Sequence, residues 1–119
     1  MKRVGIIGGI GPISTIDYYR GIIDGYRTKV NNGNYPELTI NSVNMTEMLS
    51  FLTNEDWDAL VKYMLKAIEY LAGAGAEFAA MASNTPHIVF DRIQQKSALP
   101  LVSIVDHLWK AFHSASYEK

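Results

Sequence analysis

Residues 4–12 read Val-Gly-Ile-Ile-Gly-Gly-Ile-Gly-Pro, and this stretch decides the fold. The apolar segment 4–8 predicts a short buried strand, and residues 9–12 form a glycine turn before a helix predicted over about 13–30. A strand that passes through a glycine turn into a helix amino terminus is the α/β construction that holds an anion against free backbone N–H groups. The sequence therefore predicts an α/β fold with an anion-binding turn after its first strand.

A dinucleotide-binding fingerprint is the alternative explanation of this turn. After Gly9 and Gly11 the third glycine position is occupied by Ser14, and no acidic residue closes the second predicted strand, which ends near residues 43–44. A bare Gly-x-Gly is a weak motif. The sequence therefore argues against a nucleotide site.

A second motif, Met-Ala-Ser-Asn-Thr-Pro-His, occupies residues 81–87. It follows an apolar run and precedes a helical pattern, so it lies where a buried strand passes into a helix. Thr85 suits the N-cap of that helix and Pro86 its first position, where a missing N–H costs nothing. The free N–H groups and the positive end of the helix dipole favour a small anion such as a carboxylate, with the side chains of Ser83 and Asn84 beside it.

The rest of the chain alternates between short apolar runs and amphipathic stretches. The clearest helix, over about 54–73, has apolar residues at three- and four-residue spacing. Thr53 and Asp56 predict a capping box at its start, and two glycines, Gly73 and Gly75, predict its end. The predicted strands are 3–8, 38–44, 77–82 and 101–105, and the other predicted helices are 13–30, 86–96 and a final one to about 115. Repeated strand–helix units imply a three-layer α/β sandwich with a parallel four-stranded sheet.

The two motifs are predicted to meet at one pocket. In an open parallel sheet the ligand binds outside the carboxyl ends of the strands, at the point where the strand order reverses. With the order 2-1-3-4, the strands that precede the glycine turn and the Ser83 motif are neighbours at that point. Residues 44–47, after the second strand, would form the side of the pocket.

Composition limits the classes of partner. The formal charge is −1 at pH 7, so the chain lacks the basic surface that binds nucleic acid or an anionic membrane. It has no cysteine, hence no disulfide framework or thiolate metal site, and no His, Asp and Glu cluster has metal-ligand spacing. No apolar run approaches the roughly 20 residues that cross a bilayer, and the amino terminus lacks a signal-peptide pattern. We therefore expect a single cytoplasmic domain.

These motifs together resemble the aspartate/glutamate racemase family. The resemblance lies in Gly-Ile-Ile-Gly-Gly-Ile-Gly-Pro at 5–12, the Tyr18-Tyr19 helix, Ala-Gly-Ala-Glu-Phe at 74–78 and Ser-Asn-Thr-Pro-His at 83–87. It covers the whole chain, 1–119, but only the first of the family's two similar, flavodoxin-like lobes. Such enzymes invert the α-carbon of an amino acid without pyridoxal phosphate, metal or other cofactor. Each lobe offers one catalytic residue, usually cysteine, to one face of the substrate.

The resemblance also implies roles for individual residues. Ser83 would be the catalytic acid/base residue of this lobe, in the position where many members of the family have cysteine. A serine hydroxyl is a much poorer base than a thiolate unless a partner activates it. The substrate-binding residues that the resemblance implies are Asn84, Thr85 and His87 in the second motif and Gly9, Gly11 and Ser14 in the facing loop.

Because the resemblance covers a single lobe, three hypotheses about function stay open. One is the first lobe of an aspartate/glutamate racemase, inactive alone because the opposing base is absent. This lobe would form a homo-oligomer through exposed apolar surface around Ile10, Pro12 and Met45. The second is a non-catalytic one-lobe module that binds an amino acid or another small carboxylate. A flavodoxin-type nucleotide or flavin domain is a third alternative, which the incomplete fingerprint disfavours.

Overall fold

The structure is a computed structural model of the chain, and it describes residues 3–9, 11–81 and 87–103. Strands and helices alternate along the chain. The elements are β1 (Val4–Gly8), α1 (Pro12–Val30), β2 (Leu38–Ser42), α2 (Met45–Thr53), α3 (Trp57–Gly73), β3 (Phe78–Met81), α4 (His87–Lys96) and β4 (Leu101–Ser103). The final helix predicted to about residue 115 lies outside the described residues.

The four strands form one parallel sheet in the order β2-β1-β3-β4, as the sequence predicted. Gly8 at the end of β1 is paired with Ser42 at the end of β2, and Ile6 is paired with Ala80 of β3 on the other side. The strand order therefore reverses at β1. The carboxyl ends of β1 and β3, which the two sequence motifs follow, are neighbours in the sheet.

Helices cover both faces of the sheet, so the predicted three-layer α/β sandwich is confirmed. Val4 and Ile6 of β1 cluster with Ile22 of α1 on one face. Ile7 belongs to the larger cluster on the other face, because successive side chains of a strand point to opposite sides. That larger cluster takes buried side chains from α2, α3 and α4, among them Met48, Leu60, Met64, Ile68, Leu71, Val89 and Ile93.

The long helix α3 lies in the middle of this layer. Its buried residues are Leu60, Val61, Met64, Ala67, Ile68 and Leu71. They recur at three- and four-residue spacing and form one continuous stripe against the sheet, as the sequence predicted. The predicted end is also confirmed, because α3 stops at Gly73 and Gly75 has a φ of +97°, which favours glycine.

The structure corrects the prediction for the segment before α3. The sequence predicts one helix over about 54–73 and residues 44–47 only as the side of a pocket. Two helices are present here. The first, α2, begins after Asn44, whose side chain accepts hydrogen bonds from two following backbone N–H groups at 3.1 and 3.4 Å, and α3 begins only at Trp57. Because α2 has nine residues, its apolar periodicity is too short to separate it from a loop.

The capping box predicted from Thr53 and Asp56 is wrong. Thr53 is the last residue of α2, whereas Asp56 is itself the N-cap of α3 and accepts a hydrogen bond from the backbone N–H of Ala59 at 3.2 Å. Between the two helices the chain turns at Glu55, a non-glycine residue with a φ of +51°. Sequence spacing alone could not show that this turn separates the two members of the proposed box.

An ion pair on the surface connects α3 with α4. Arg92 of α4 donates a hydrogen bond to the carboxylate of Asp58 in the first turn of α3. This hydrogen bond and the positive charge of Arg92 hold the pKa of the Asp58 carboxyl below its ordinary value. The carboxylate is exposed to water, so the pair contributes little to the free energy of unfolding. Among the described helices, none is long and apolar enough to cross a membrane.

Candidate functional site

The glycine turn after β1 is held close to the end of β2. The backbone N–H of Val43 donates to the carbonyl oxygen of Gly8 at 2.9 Å, which continues the contact between these strands past their last paired residues. Gly9 has a φ of +90°, and a Cβ added to it would lie 2.6 Å from the carbonyl oxygen of Val43 and 2.8 Å from Oγ of Ser42. A residue with a side chain therefore does not fit at Gly9 without a shift of the backbone.

The side chain of Thr15 fixes the shape of this turn. Its Oγ1 accepts a hydrogen bond from the N–H of Gly9 at 2.9 Å and donates one to the carbonyl oxygen of Gly11 at 3.1 Å. Its Cγ2 lies 2.7 Å from the position that a Cβ on Gly8 would occupy. One threonine in the first turns of α1 thus bridges both ends of the loop and packs against the end of β1.

No role was predicted for Thr15. Ser14 is predicted to line the loop as a substrate-binding residue; its side chain is exposed, and that role stays a prediction. The hydrogen bonds that hold the turn come from its neighbour, Thr15. A signal was available in the spacing. A threonine in the first turns of a helix can hydrogen-bond to the backbone four residues earlier, and Thr15 stands four residues after Gly11.

Substitution of Thr15 by valine is expected to lower the free energy of unfolding by about 1–3 kcal/mol. Valine keeps the shape of the side chain but leaves the part-buried N–H of Gly9 without its acceptor. Unfolding in urea measures the change. Ser14→Ala is the matched control and should stay within about 0.5 kcal/mol, because Ser14 is exposed. A Thr15→Val protein as stable as the unsubstituted chain would show that the hydroxyl does not hold the turn.

The amino terminus of α1 opens at this turn. Gly11 is the N-cap, with an extended backbone, and no side chain caps the helix. Pro12 occupies the start of α1, and the first turn contains no acidic residue. The N–H groups of that turn are therefore available to solvent or to an anion.

The start of α2 lies beside the turn, and the prediction that residues 44–47 form the side of a pocket stays a prediction. Sδ of Met45 is 3.8 Å from the position of a Cβ added to Gly11. The N–H of Asn44 donates to the hydroxyl of Tyr63 at 2.8 Å, which ties the start of α2 to α3. The expected apolar exposure is found at Pro12, which is exposed, and at Met45, which is 38% exposed. Ile10 lies outside the described residues.

The second motif begins directly after the strand next to β1. β3 ends at Met81, and α4 begins at His87. Ser83, Asn84 and Thr85 lie outside the described residues, and of His87 only its place as the first residue of α4 is described. The roles assigned to these four residues thus stay predictions. In the described part of the chain, no group of three or more His, Asp or Glu residues is placed to hold a metal ion.

An open parallel sheet with a glycine turn at the point of strand reversal defines an α/β domain of the kind that binds small molecules at that point. The family model of the Asp/Glu/Hydantoin racemases matches residues 7–118. The chain belongs to this family.

Individual relatives agree with this assignment. The chain is 30% identical over 113 residues to the broad specificity amino-acid racemase RacX of Bacillus subtilis (strain 168), a match that covers 90% of this chain and 48% of that protein. An aspartate racemase homologue from Pyrococcus horikoshii OT3 is 42% identical, with a TM-score of 0.76 over 97% of this chain and 50% of its own. A candidate Asp/Glu racemase from Yersinia pestis is 30% identical, with a TM-score of 0.81 over 98% of this chain and 50% of its own. The chain spans about half the length of these relatives.

Proposed function

We propose that this chain is the first lobe of an amino-acid racemase that inverts an acidic amino acid at its α-carbon without pyridoxal phosphate or metal. The observation that carries the proposal is the hydrogen-bonded glycine turn at the end of β1. It lies beside the strand that leads to the Ser83 motif, in a chain that belongs to a racemase family. An acidic substrate is favoured by the 42% identity to the aspartate racemase homologue.

Inversion at the α-carbon needs two groups on opposite faces of the substrate. The α C–H bond breaks, a base takes the proton, and the electron pair is delocalised into the carboxylate. A proton delivered to the opposite face then forms the new C–H bond. N–H donors that point at the carboxylate would stabilise the negative charge that develops there in the transition state. Such electrostatic stabilisation is usually the largest single contribution to lowering the activation barrier.

In this scheme Ser83 serves one face as acid/base residue. Asn84 and Thr85, with the amino terminus of α4, hold the α-carboxylate. His87 binds the substrate on the same side of the pocket. The facing loop of Gly9, Gly11 and Ser14 lines the other side of the pocket, and the bonds of Thr15 set its shape. The base for the opposite face belongs to a second lobe, so the 119-residue chain alone does not complete the inversion.

We also propose that the lobe is a cytoplasmic protein that forms a homo-oligomer. The exposed apolar side chains of the described residues support self-association, since contiguous apolar surface tends to become an interface. They include Ile13 at 72% and Ile16 at 52% exposure on α1.

Titration with aspartate and glutamate, followed by amide NMR, tests whether the site binds them. Both amino acids are expected to shift the amide signals of Gly11, Ile13 and Ser14 in a saturable manner, because their carboxylates would bind at the free N–H groups of the first turn of α1. Putrescine, an amine without a carboxylate, is the control and should leave these signals unchanged. Unchanged signals at tens of millimolar aspartate and glutamate would contradict the proposed site.

The proposed catalytic step is tested by measuring the racemisation of aspartate and glutamate and the exchange of their α-hydrogen in D₂O. Inversion is expected to be negligible against the roughly 1–1000 s⁻¹ of ordinary enzymes, and turnover in that range would refute the one-lobe scheme. Ser83→Cys is expected to speed α-hydrogen exchange at least about tenfold over the unsubstituted chain, because a thiol reaches its anion more easily. Binding without exchange, even in Ser83→Cys, would instead support the non-catalytic binding module.

A further inference from the structure

Helix α1 has a second apolar face that the sheet does not use. Its buried residues, Ile22 and Tyr26, face the sheet. On other sides of the helix, Ile13 is 72% exposed, Ile16 is 52% exposed and Tyr19 is 45% exposed. A helix that packed on one partner only would carry polar residues there.

A groove runs along this outer face. It has a volume of about 310 Å³ and is closed on one side by Tyr35, from the loop that follows α1. The guanidinium of Arg27 lies 4.3 Å from the centre of the Tyr35 ring, which orders the ring against the end of the helix. The residues of α1 that line the groove are Ile16, Tyr19, Arg20, Ile23 and Asp24.

The charges along α1 are arranged for pairing with a copy of the same helix. Four exposed residues, Asp17, Arg20, Asp24 and Arg27, alternate in sign, and their spacing of three, four and three residues is the same in both directions. From the amino end of α1 these charges run negative, positive, negative, positive. From the carboxyl end they run positive, negative, positive, negative, so each position has the opposite sign in the reversed order. Two antiparallel α1 helices therefore match every acid with a base, whereas two parallel helices would match like charges.

We propose that the outer face of α1 binds a second copy of this chain, with the two α1 helices antiparallel around a two-fold axis. Ile16, Tyr19 and Ile23 form the apolar centre of the contact, and Arg20 opposes Asp24 of the second copy. Because a two-fold interface uses the same patch twice, each such pair forms twice. The inference rests on the proposed homo-oligomer and not on the proposed catalytic chemistry.

This arrangement separates the two candidate sites of a dimer. The glycine turn lies at the amino end of α1, which has 19 residues. At a rise of 1.5 Å per residue, antiparallel packing puts the two turns at opposite ends of a contact roughly 28 Å long. Each turn remains open, so the dimer does not form one shared pocket.

Sedimentation equilibrium of the full 119-residue chain, with charge-reversal variants, tests the interface. Arg20→Asp and Asp24→Arg are each expected to weaken the dimer at least about tenfold, since each replaces two attractive pairs by two repulsive ones. The double variant Arg20→Asp/Asp24→Arg restores opposite charges and is expected to dimerise within about threefold of the unsubstituted chain. Ile16→Lys, which puts a charge into the apolar centre, is expected to abolish the dimer.

Matched reversals on another helix are the controls. Lys62→Asp and Glu69→Arg change exposed charges on α3 and should leave the dimer unchanged. Thermal unfolding confirms that every variant is folded. If the α1 reversals act no more strongly than the α3 reversals, or if the double variant is as weak as the single ones, the α1 interface is refuted and the proposed homo-oligomer stands. A monomer up to about 500 µM refutes both.

Discussion

Replacement of Gly9 by alanine is expected to lower the free energy of unfolding by about 3 kcal/mol or more. The φ of Gly9 is +90°, a conformation that costs a residue with a side chain about 1–3 kcal/mol. The new Cβ would also lie 2.6 Å from the carbonyl oxygen of Val43, a backbone atom that no side-chain rotation can move. Such overpacking adds about 1–3 kcal/mol, which is a large share of the stability of a small domain.

Gly33→Ala separates the two parts of this effect. Gly33 also has a positive φ, of +79°, but an added Cβ there would meet no atom within 4 Å. The control should therefore lose only the cost of the backbone conformation, about 1 kcal/mol. Unfolding of both variants in urea gives the comparison. Equal losses would mean that the glycine turn is not pressed against the end of β2, and the site geometry derived above would fail.

Leu71→Ala is expected to cost about 3–4 kcal/mol. Leu71 is fully buried in α3, and its Cβ and Cδ1 each lie 3.0 Å from the position of a Cβ added to Gly5. The leucine therefore fills the space that glycine leaves open in the middle of β1. Its removal creates a cavity where the helix meets the central strand, and tight packing on both sides limits how far the site can collapse.

Leu49→Ala is the matched control, because it deletes the same atoms from another helix. Leu49, in α2, is 42% exposed, so its truncation is expected to cost about 1 kcal/mol or less. Urea unfolding midpoints and slopes of the two variants check the difference. Similar losses for Leu71 and Leu49 would contradict the packing of α3 on β1 described here.

Both changes act on the strand that positions the candidate site. Gly5 lets α3 approach the middle of β1, and Gly9 lets the chain turn sharply where β1 ends. The strand is buried along its whole length. Stability and site geometry are therefore coupled in this lobe, and a loss of packing under β1 is expected to loosen the turn above it.

Much of the fold could be predicted because its signals are local. Residues 4–8 form an apolar run followed by glycines, and this pattern predicted β1 and the turn. The long apolar stripe from 57 to 73 predicted α3 and its end at Gly73. The alternation of strands and helices predicted the parallel sheet, and the expected order 2-1-3-4 is the observed one. Helix α2 was missed, because a nine-residue helix between polar ends lacks a readable period.

The sequence motifs predicted which segments form the candidate site, but they did not predict the contacts within it. The sequence pointed to Gly9 and Gly11. The structure gives a steric reason for glycine at Gly9 alone, because at Gly11 the backbone is extended and an added Cβ would meet only Sδ of Met45 at 3.8 Å. The hydrogen bonds that hold the turn come from Thr15, because only the helix fixes which of two adjacent hydroxyls faces the loop. The substrate-binding role of Ser14 stays a prediction. The predicted roles of Ser83, Asn84, Thr85 and His87 await the experiments above.

The sequence by itself determined the alternation of strands and helices and the position of the glycine turn, since backbone conformation and apolar period depend on near neighbours along the chain. Only the tertiary structure decided which apolar face of α1 is buried. Ile22 and Ile16 are equally apolar in the sequence, but the sheet covers Ile22 and leaves Ile16 in the groove with Tyr35. Burial is set by the packing of elements that are distant in sequence, and one helix can turn only one side to the sheet.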